Sequence, residues 1–82
     1  MPIKSDFLID QIYVPAKRKK TLEPERVTAL AEAILEEGQT TPIQVREGKG
    51  RYVLIEGLHR LEAMKALGET KIVGYVVQAR RW

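Results

Sequence analysis

The chain contains no cysteine and only one histidine, His59, among its 82 residues. Without a thiol it has no disulfide, no thiolate metal ligand and no cysteine nucleophile. A single imidazole argues against a histidine-based zinc or haem site. No apolar run approaches the roughly 20 residues of a transmembrane helix, and residues 1–7 contain no signal-peptide core. We therefore expect a cytoplasmic protein with no membrane partner.

The residues that are present have the composition of a small globular domain. Hydrophobic residues make up 44% of the chain and charged residues 30%, which argues against intrinsic disorder. We expect one domain over residues 1–82, with its core at about 8–78, that buries roughly 60% of the unfolded surface. The net charge of +3, from 14 Lys and Arg against 11 Asp and Glu, favours an anionic partner without proving one.

The hydrophobic pattern predicts a strand, a helix, a hairpin, a helix and a strand in that order. The first helix begins at Pro24 and ends at Gly38, with an apolar stripe that includes Leu30 and Leu35. The second helix is predicted over residues 58–67. Strands are predicted over residues 8–14, 42–46, 51–56 and 71–78. We expect an α+β (mixed α/β) domain of about four strands and two main helices, whose strand order the sequence leaves open.

The turn between the hairpin and the second helix is a candidate anion site. Gly57 permits a tight turn, and His59 and Arg60 follow in the first helical turn. The first N–H groups of a helix have no internal partners, and a guanidinium binds phosphate oxygens bidentately. His59 can donate a hydrogen bond to the same oxygens. The structural alternative, which the residues alone favour, is that Arg60 pairs with Glu56 or Glu62 while His59 packs half-buried.

A second candidate is the densest cluster of charge in the chain, a predicted loop that contains Lys17, Arg18, Lys19 and Lys20. Such a cluster can bind nucleic acid nonspecifically through phosphate contacts. The alternative is a solvated loop without a ligand. The run contains no aromatic residue, so base stacking there is unsupported. A hairpin separates the two predicted helices, which argues against a helix-turn-helix pair.

A set of ordered motifs resembles the ParB/sulfiredoxin-like superfamily. The resemblance covers roughly residues 8–78. Its motifs are Leu30-Ala31-x-x-Ile34, Gly38, Thr41-Pro42-Ile43-x-Val45, Tyr52-x-Leu54-Ile55-x-Gly57-x-His59-Arg60-x-x-Ala63 and Leu67-Gly68. The ordered set is far more specific than any one of its parts. The resemblance implies a small ParB/sulfiredoxin-like fold and favours phosphate binding over the structural alternative at the glycine turn.

The resemblance also implies a set of nucleotide-binding residues. In ParB N-terminal domains the corresponding Gly-Glu-Arg-Arg box contacts CTP phosphates with magnesium. In sulfiredoxin the Gly-Cys-His-Arg segment carries the reactive cysteine and holds ATP phosphates. Arg26 stands where a sulfiredoxin lysine approaches the nucleotide, and the hydroxyl of Thr41 is a candidate to line the same cleft. The residues expected to bind nucleotide are Gly57, Leu58, His59, Arg60, Arg26 and Thr41.

The sequence departs from both relatives at the glycine turn. Leu58 occupies the place of the sulfiredoxin cysteine, so sulfinic-acid reductase activity is excluded. Relative to ParB, Leu58 and His59 replace a Glu-Arg pair, which removes a carboxylate expected to bind magnesium.

Three functions follow from these observations. The leading hypothesis is a module that binds a nucleotide or another polyanion and that is non-catalytic or weakly catalytic. ATP and CTP are the candidate nucleotides, with or without magnesium. The second is a DNA-associated protein that uses the loop at residues 17–20. The third is a kinase that phosphorylates a small metabolite with Glu56 or Glu23 as the base. A partner protein that supplies groups missing from this chain is compatible with all three.

Overall fold

The computed structural model of the protein describes residues 3–78, which form five strands and three helices. In chain order the elements are β1 (Ser5–Leu8), a 3-10 turn (Ile9–Gln11), β2 (Ile12–Tyr13), α1 (Ala16–Lys19), α2 (Pro24–Glu37), β3 (Ile43–Glu47), β4 (Tyr52–Glu56), α3 (Leu58–Ala66) and β5 (Lys71–Val76). The strand order is β1-β5-β3-β4-β2. The predicted α+β class is confirmed.

The sheet mixes antiparallel and parallel pairs. The pairs β1–β5 and β3–β4 are antiparallel, and the latter is the predicted hairpin. The pairs β3–β5 and β2–β4 are parallel. Because β1 and β2 are the two outermost strands, the start of the chain supplies both edges of the sheet. None of the helices within residues 3–78 is long and apolar enough to cross a membrane.

The prediction of one strand over residues 8–14 is wrong. The chain pairs with β5 as far as Leu8, makes a 3-10 turn, and then pairs with β4 at the opposite edge as β2. Ile9 and Ile12 are both buried, although residues three apart in one strand would point to opposite faces. The Ile9 N–H donates to the Thr70 carbonyl at 2.9 Å, which anchors the crossing. The pattern missed β1 because Phe7 is its only buried residue.

The core lies between the sheet and α3. Its fully buried side chains are Ile43, Val45, Leu54, Leu61 and Ile72. Helix α2 lies against α3 and has no buried residue of its own. Its predicted stripe is half-buried at Leu30 and Ile34, but Leu35 is 72% exposed, so its assignment to the buried stripe is wrong. Helix α2 packs beside α3, and an open cleft lies between the first turns of the two helices.

Candidate functional site

The cleft lies at the N-terminal ends of α2 and α3 and encloses about 600 Å³. Helix α2 begins at Pro24, shortly after the basic segment, residues 17–20. Helix α3 follows the end of β4 after Gly57 alone. The lining residues come from four elements and the turns between them: Arg18, Thr21, Glu23, Arg26, Ala29, Leu30, Glu56, Gly57, Leu58, His59 and Arg60. The structure therefore brings together the glycine turn and Arg26, as the sequence predicts.

Gly57 makes the tight turn from β4 into α3. Its φ of 109° lies in the left-handed region, which side chains with a Cβ rarely adopt. A Cβ at this position would also lie 2.5 Å from Cγ2 of the buried Ile43. Both the backbone conformation and the contact with β3 therefore require glycine, and the turn is fixed by the core beneath it.

Three backbone donors at the start of α3 have no partner among the described residues. The first helical hydrogen bond runs from the Leu61 N–H to the Gly57 carbonyl at 2.8 Å, and no side chain from residues 3–78 caps the helix. Within residues 3–78, the N–H groups of Leu58, His59 and Arg60 donate to no other group. These unpaired donors carry the positive end of the helix dipole, which makes the turn suited to an anion.

Arg60 is a half-buried residue, and its guanidinium forms no ion pair or hydrogen bond with residues 3–78. Both carboxylates that the structural alternative offered have other partners. Glu56 lies 3.7 Å from Arg18, and Glu62 lies 3.2 Å from Lys65. The structure thus leaves the guanidinium available to a ligand in the cleft.

The remaining charges of the cleft are partly neutralised. The guanidinium of Arg26 lies 3.4 Å from the carboxylate of Glu23, and that of Arg18 lies 3.7 Å from the carboxylate of Glu56. All four side chains are at least 35% exposed. Exposed pairs of this kind contribute little to stability, so a stronger anion can compete for either arginine. With three arginines against two glutamates, the cleft keeps an excess of positive charge.

His59 is half-buried and joins the two helices. Its Nε2 atom accepts a hydrogen bond of 3.0 Å from the backbone N–H of Glu23, the residue that precedes α2. An imidazole nitrogen that accepts carries no proton, so the proton of the neutral ring is on Nδ1. Of the two ring nitrogens, only Nδ1 is left to donate to a phosphate.

Two of the expected site residues, Leu58 and Thr41, differ from the others in where their side chains lie. Leu58 packs into the core and is 6% exposed, so its backbone N–H is the group that a phosphate can reach. Thr41 does not line the cleft. Its carbonyl accepts from the Gln39 side chain at 3.0 Å, and Gln39 also bonds both backbone groups of Val73 at 2.8 Å, which ties this segment to β5.

The basic segment divides between the cleft and the surface. The predicted loop contains the single helical turn α1, which directs Arg18 into the cleft, while Lys17, Lys19 and Lys20 remain exposed and do not line it. The sequence predicted that the run at residues 17–20 adds positive potential at the phosphate site, but it could not single out Arg18, because four consecutive cations give no periodicity. It also missed Thr21, whose hydroxyl donates to the Arg18 carbonyl at 2.7 Å.

The described residues, 3–78, contain no group of three acidic or histidine side chains that could hold a metal ion by itself. Glu23 and Glu56 are the carboxylates that line the cleft, and both are engaged by arginines. This donor set does not form a dedicated metal site. It fits a magnesium ion that arrives on phosphates, since such an ion needs only one or two protein carboxylates.

Two solved structures resemble the fold closely. Sulfiredoxin from Arabidopsis thaliana is 28% identical with a TM-score of 0.84, over 95% of this chain and 88% of that one. The C-terminally truncated chromosome-partitioning protein ParB from Caulobacter crescentus, complexed with CTP-γ-S, is 23% identical with a TM-score of 0.81. That match covers 94% of this chain and 45% of the ParB chain.

Sequence comparison agrees with the fold. The probable chromosome-partitioning protein ParB of Campylobacter jejuni is 38% identical over 69 residues, which are 83% of this chain and 25% of that protein. The chain therefore spans about a quarter of the relative that it matches. The family model described as the ParB N-terminal domain matches residues 5–81. Because that match covers nearly the whole chain, the protein belongs to the ParB N-terminal domain family.

Proposed function

We propose that the cleft binds the phosphates of a nucleoside triphosphate. The observation that carries the proposal is that Leu58, His59 and Arg60 line one open cleft, while their N–H groups and the Arg60 guanidinium have no partner among residues 3–78. The phosphates lie on the N–H groups of Leu58, His59 and Arg60, and the guanidinium clamps them from the side. The Caulobacter ParB, which shares the fold, is described in complex with a CTP analogue.

Arg26 and Arg18 add positive potential at the two sides of the same cleft. Each exchanges a weak contact with an exposed glutamate for a stronger one with a phosphate. The glutamates that they release, Glu23 and Glu56, are then free to contact magnesium carried by the triphosphate. ATP and CTP are the candidate ligands, and magnesium is the candidate ion.

Isothermal titration calorimetry of the wild type and Arg60→Ala with ATP and CTP, with and without magnesium, tests the proposal. A charge-assisted hydrogen bond contributes about 1.5–3 kcal/mol, so the variant should bind about one to two decades more weakly. Arg46→Ala is the matched control, because it removes the same charge from β3 outside the cleft. Equal affinities for wild type and Arg60→Ala would remove the site.

A second function, nonspecific contact with nucleic acid, is favoured by the exposure of Lys17, Lys19 and Lys20 outside the cleft. Free lysines on one surface segment bind a phosphate backbone with an affinity that falls steeply with salt. A gel-shift titration should show DNA binding by the wild type at low salt and a large loss when the three lysines are changed to alanine. Absence of a shift at low salt would end this second proposal.

A further inference from the structure

The hydrogen bond between the His59 side chain and the Glu23 backbone joins the beginnings of α3 and α2. Within residues 3–78, no other side-chain hydrogen bond connects these two helices. Helix α2 has no fully buried residue, and its contacts with the core come from two partly buried side chains, Leu22 just before the helix and Ile34 near its end. Neither of these side chains belongs to the first turn of α2. The first turn of α2 nevertheless carries Arg26, and the first turn of α3 carries Arg60. The spacing of these two guanidinium groups across the cleft therefore depends on how the helix ends are held.

We propose that His59 is a positioning residue: through Nε2 it holds the N-terminus of α2 against α3, and its imidazole does not bind the phosphates. This inference rests on the proposed function of the cleft. The backbone N–H of His59 remains one of the phosphate donors, whereas its side chain sets the geometry of the arginines. The resemblance to sulfiredoxin implies the opposite role, in which the histidine side chain itself holds phosphate.

The geometry supports the positioning role. The 3.0 Å bond already engages Nε2, the atom at the far end of the ring. A histidine that contacted phosphate through Nε2 would have to break this bond and leave the Glu23 N–H without its partner. Arg60 and the free helix N–H groups supply phosphate donors at no such cost.

Two amide substitutions distinguish the positioning role from phosphate binding, because each reproduces the hydrogen bonding of only one of the two ring nitrogens. The Oε1 atom of glutamine stands as many bonds from Cα as Nε2 and can accept from the Glu23 N–H. The shorter asparagine amide places its N–H₂ group where Nδ1–H lies and can donate to a phosphate, but its oxygen does not reach Glu23. His59→Leu removes both capacities.

Calorimetric titration of ATP and CTP into wild type, His59→Gln, His59→Asn and His59→Leu at mildly alkaline pH tests the proposal. We expect His59→Leu and His59→Asn to weaken binding by about three- to tenfold and His59→Gln to restore most of that loss. Restoration by asparagine, or equal affinities in the glutamine and asparagine variants, would overturn the positioning role. Thermal unfolding confirms that each variant is folded at the titration temperature.

Hydrogen exchange of the Glu23 amide gives a second readout that needs no ligand. Exchange should be slow in the wild type and His59→Gln, and faster in His59→Asn and His59→Leu. Equal exchange in all four proteins would overturn the bond on which the inference rests. Failure of the wild type to bind either nucleotide, with the exchange pattern as expected, would instead overturn the proposed function of the cleft and leave the link between the helices established.

Discussion

Gly57 couples the hydrophobic core to the candidate phosphate site. The left-handed backbone at this residue turns the chain into α3, and the next three residues line the cleft. The absence of a Cβ lets the turn rest on Ile43, which is fully buried in β3. Any residue other than glycine at position 57 would both strain the backbone and displace the side chain of Ile43.

We predict that Gly57→Ala lowers the free energy of unfolding by about 2–5 kcal/mol, since left-handed strain and overpacking add. Gly50→Ala is a matched control, because Gly50 also has a positive φ, 66°, but no atom lies within 4 Å of an added Cβ. It should lose only the strain, about 1–2 kcal/mol. Urea denaturation measures both, and equal losses would show that the contact with Ile43 carries no cost.

At the scale of single residues, the sequence predicted several groups that line the cleft, but it also named Thr41, which does not, and it could not show how the groups pair. The order Gly57, His59, Arg60 indicated a helix start with phosphate donors, and the structure places all three in the cleft. The sequence could not show that Glu56 and Glu62 have other partners, because that depends on the placement of α1 and on the turn of α3. Nor could it show that His59 bonds a backbone group from 36 residues away.

Among the elements, helix α2 shows how much the spacing of apolar residues can predict about a helix. Proline at the first helical position and glycine as a cap predicted its bounds, Pro24 at the start and Gly38 after the end, and the structure agrees. The spacing of apolar residues predicted its buried stripe and overestimated the burial, since α2 packs mainly on α3 and none of its residues is fully buried. Periodicity identifies the apolar face of a helix, whereas the depth of burial depends on what lies opposite.

We predict that Leu35→Ala changes the free energy of unfolding by no more than about 0.5 kcal/mol, because the side chain is 72% exposed. The same substitution at Leu61, which is fully buried in α3, should cost about 2–5 kcal/mol. Denaturant unfolding of both variants makes the comparison. A loss at Leu35 close to that at Leu61 would mean that α2 is packed more deeply than the structure shows.

The start of the chain was the element that pattern could not predict. Residues 5–14 supply both edge strands, joined by a turn too short to interrupt the run of apolar and β-branched residues. Which strand each half joins is decided by long-range pairing with β5 and β4. The hairpin and α3 were predictable because local turn residues mark their ends.

For the whole molecule, the fold concentrates its ligand-binding groups at one end. The parallel pairing of β2 with β4 directs α1 toward the same end as the glycine turn, so Arg18 meets Glu56 there. Helix α2 begins at this end as well, which adds Arg26. Residues distant in the chain thus form one positively charged cleft, whereas the modest net charge of +3 gave no indication of where it would lie.

A proton–nitrogen NMR titration of the folded chain with ATP and CTP tests the central claim most directly. The account predicts that the amide signals of Leu58, His59 and Arg60 shift most, since their N–H groups are the proposed phosphate donors. Largest shifts at the exposed lysines of the basic segment or in the hairpin turn, with those three amides unmoved at saturating nucleotide, would contradict it.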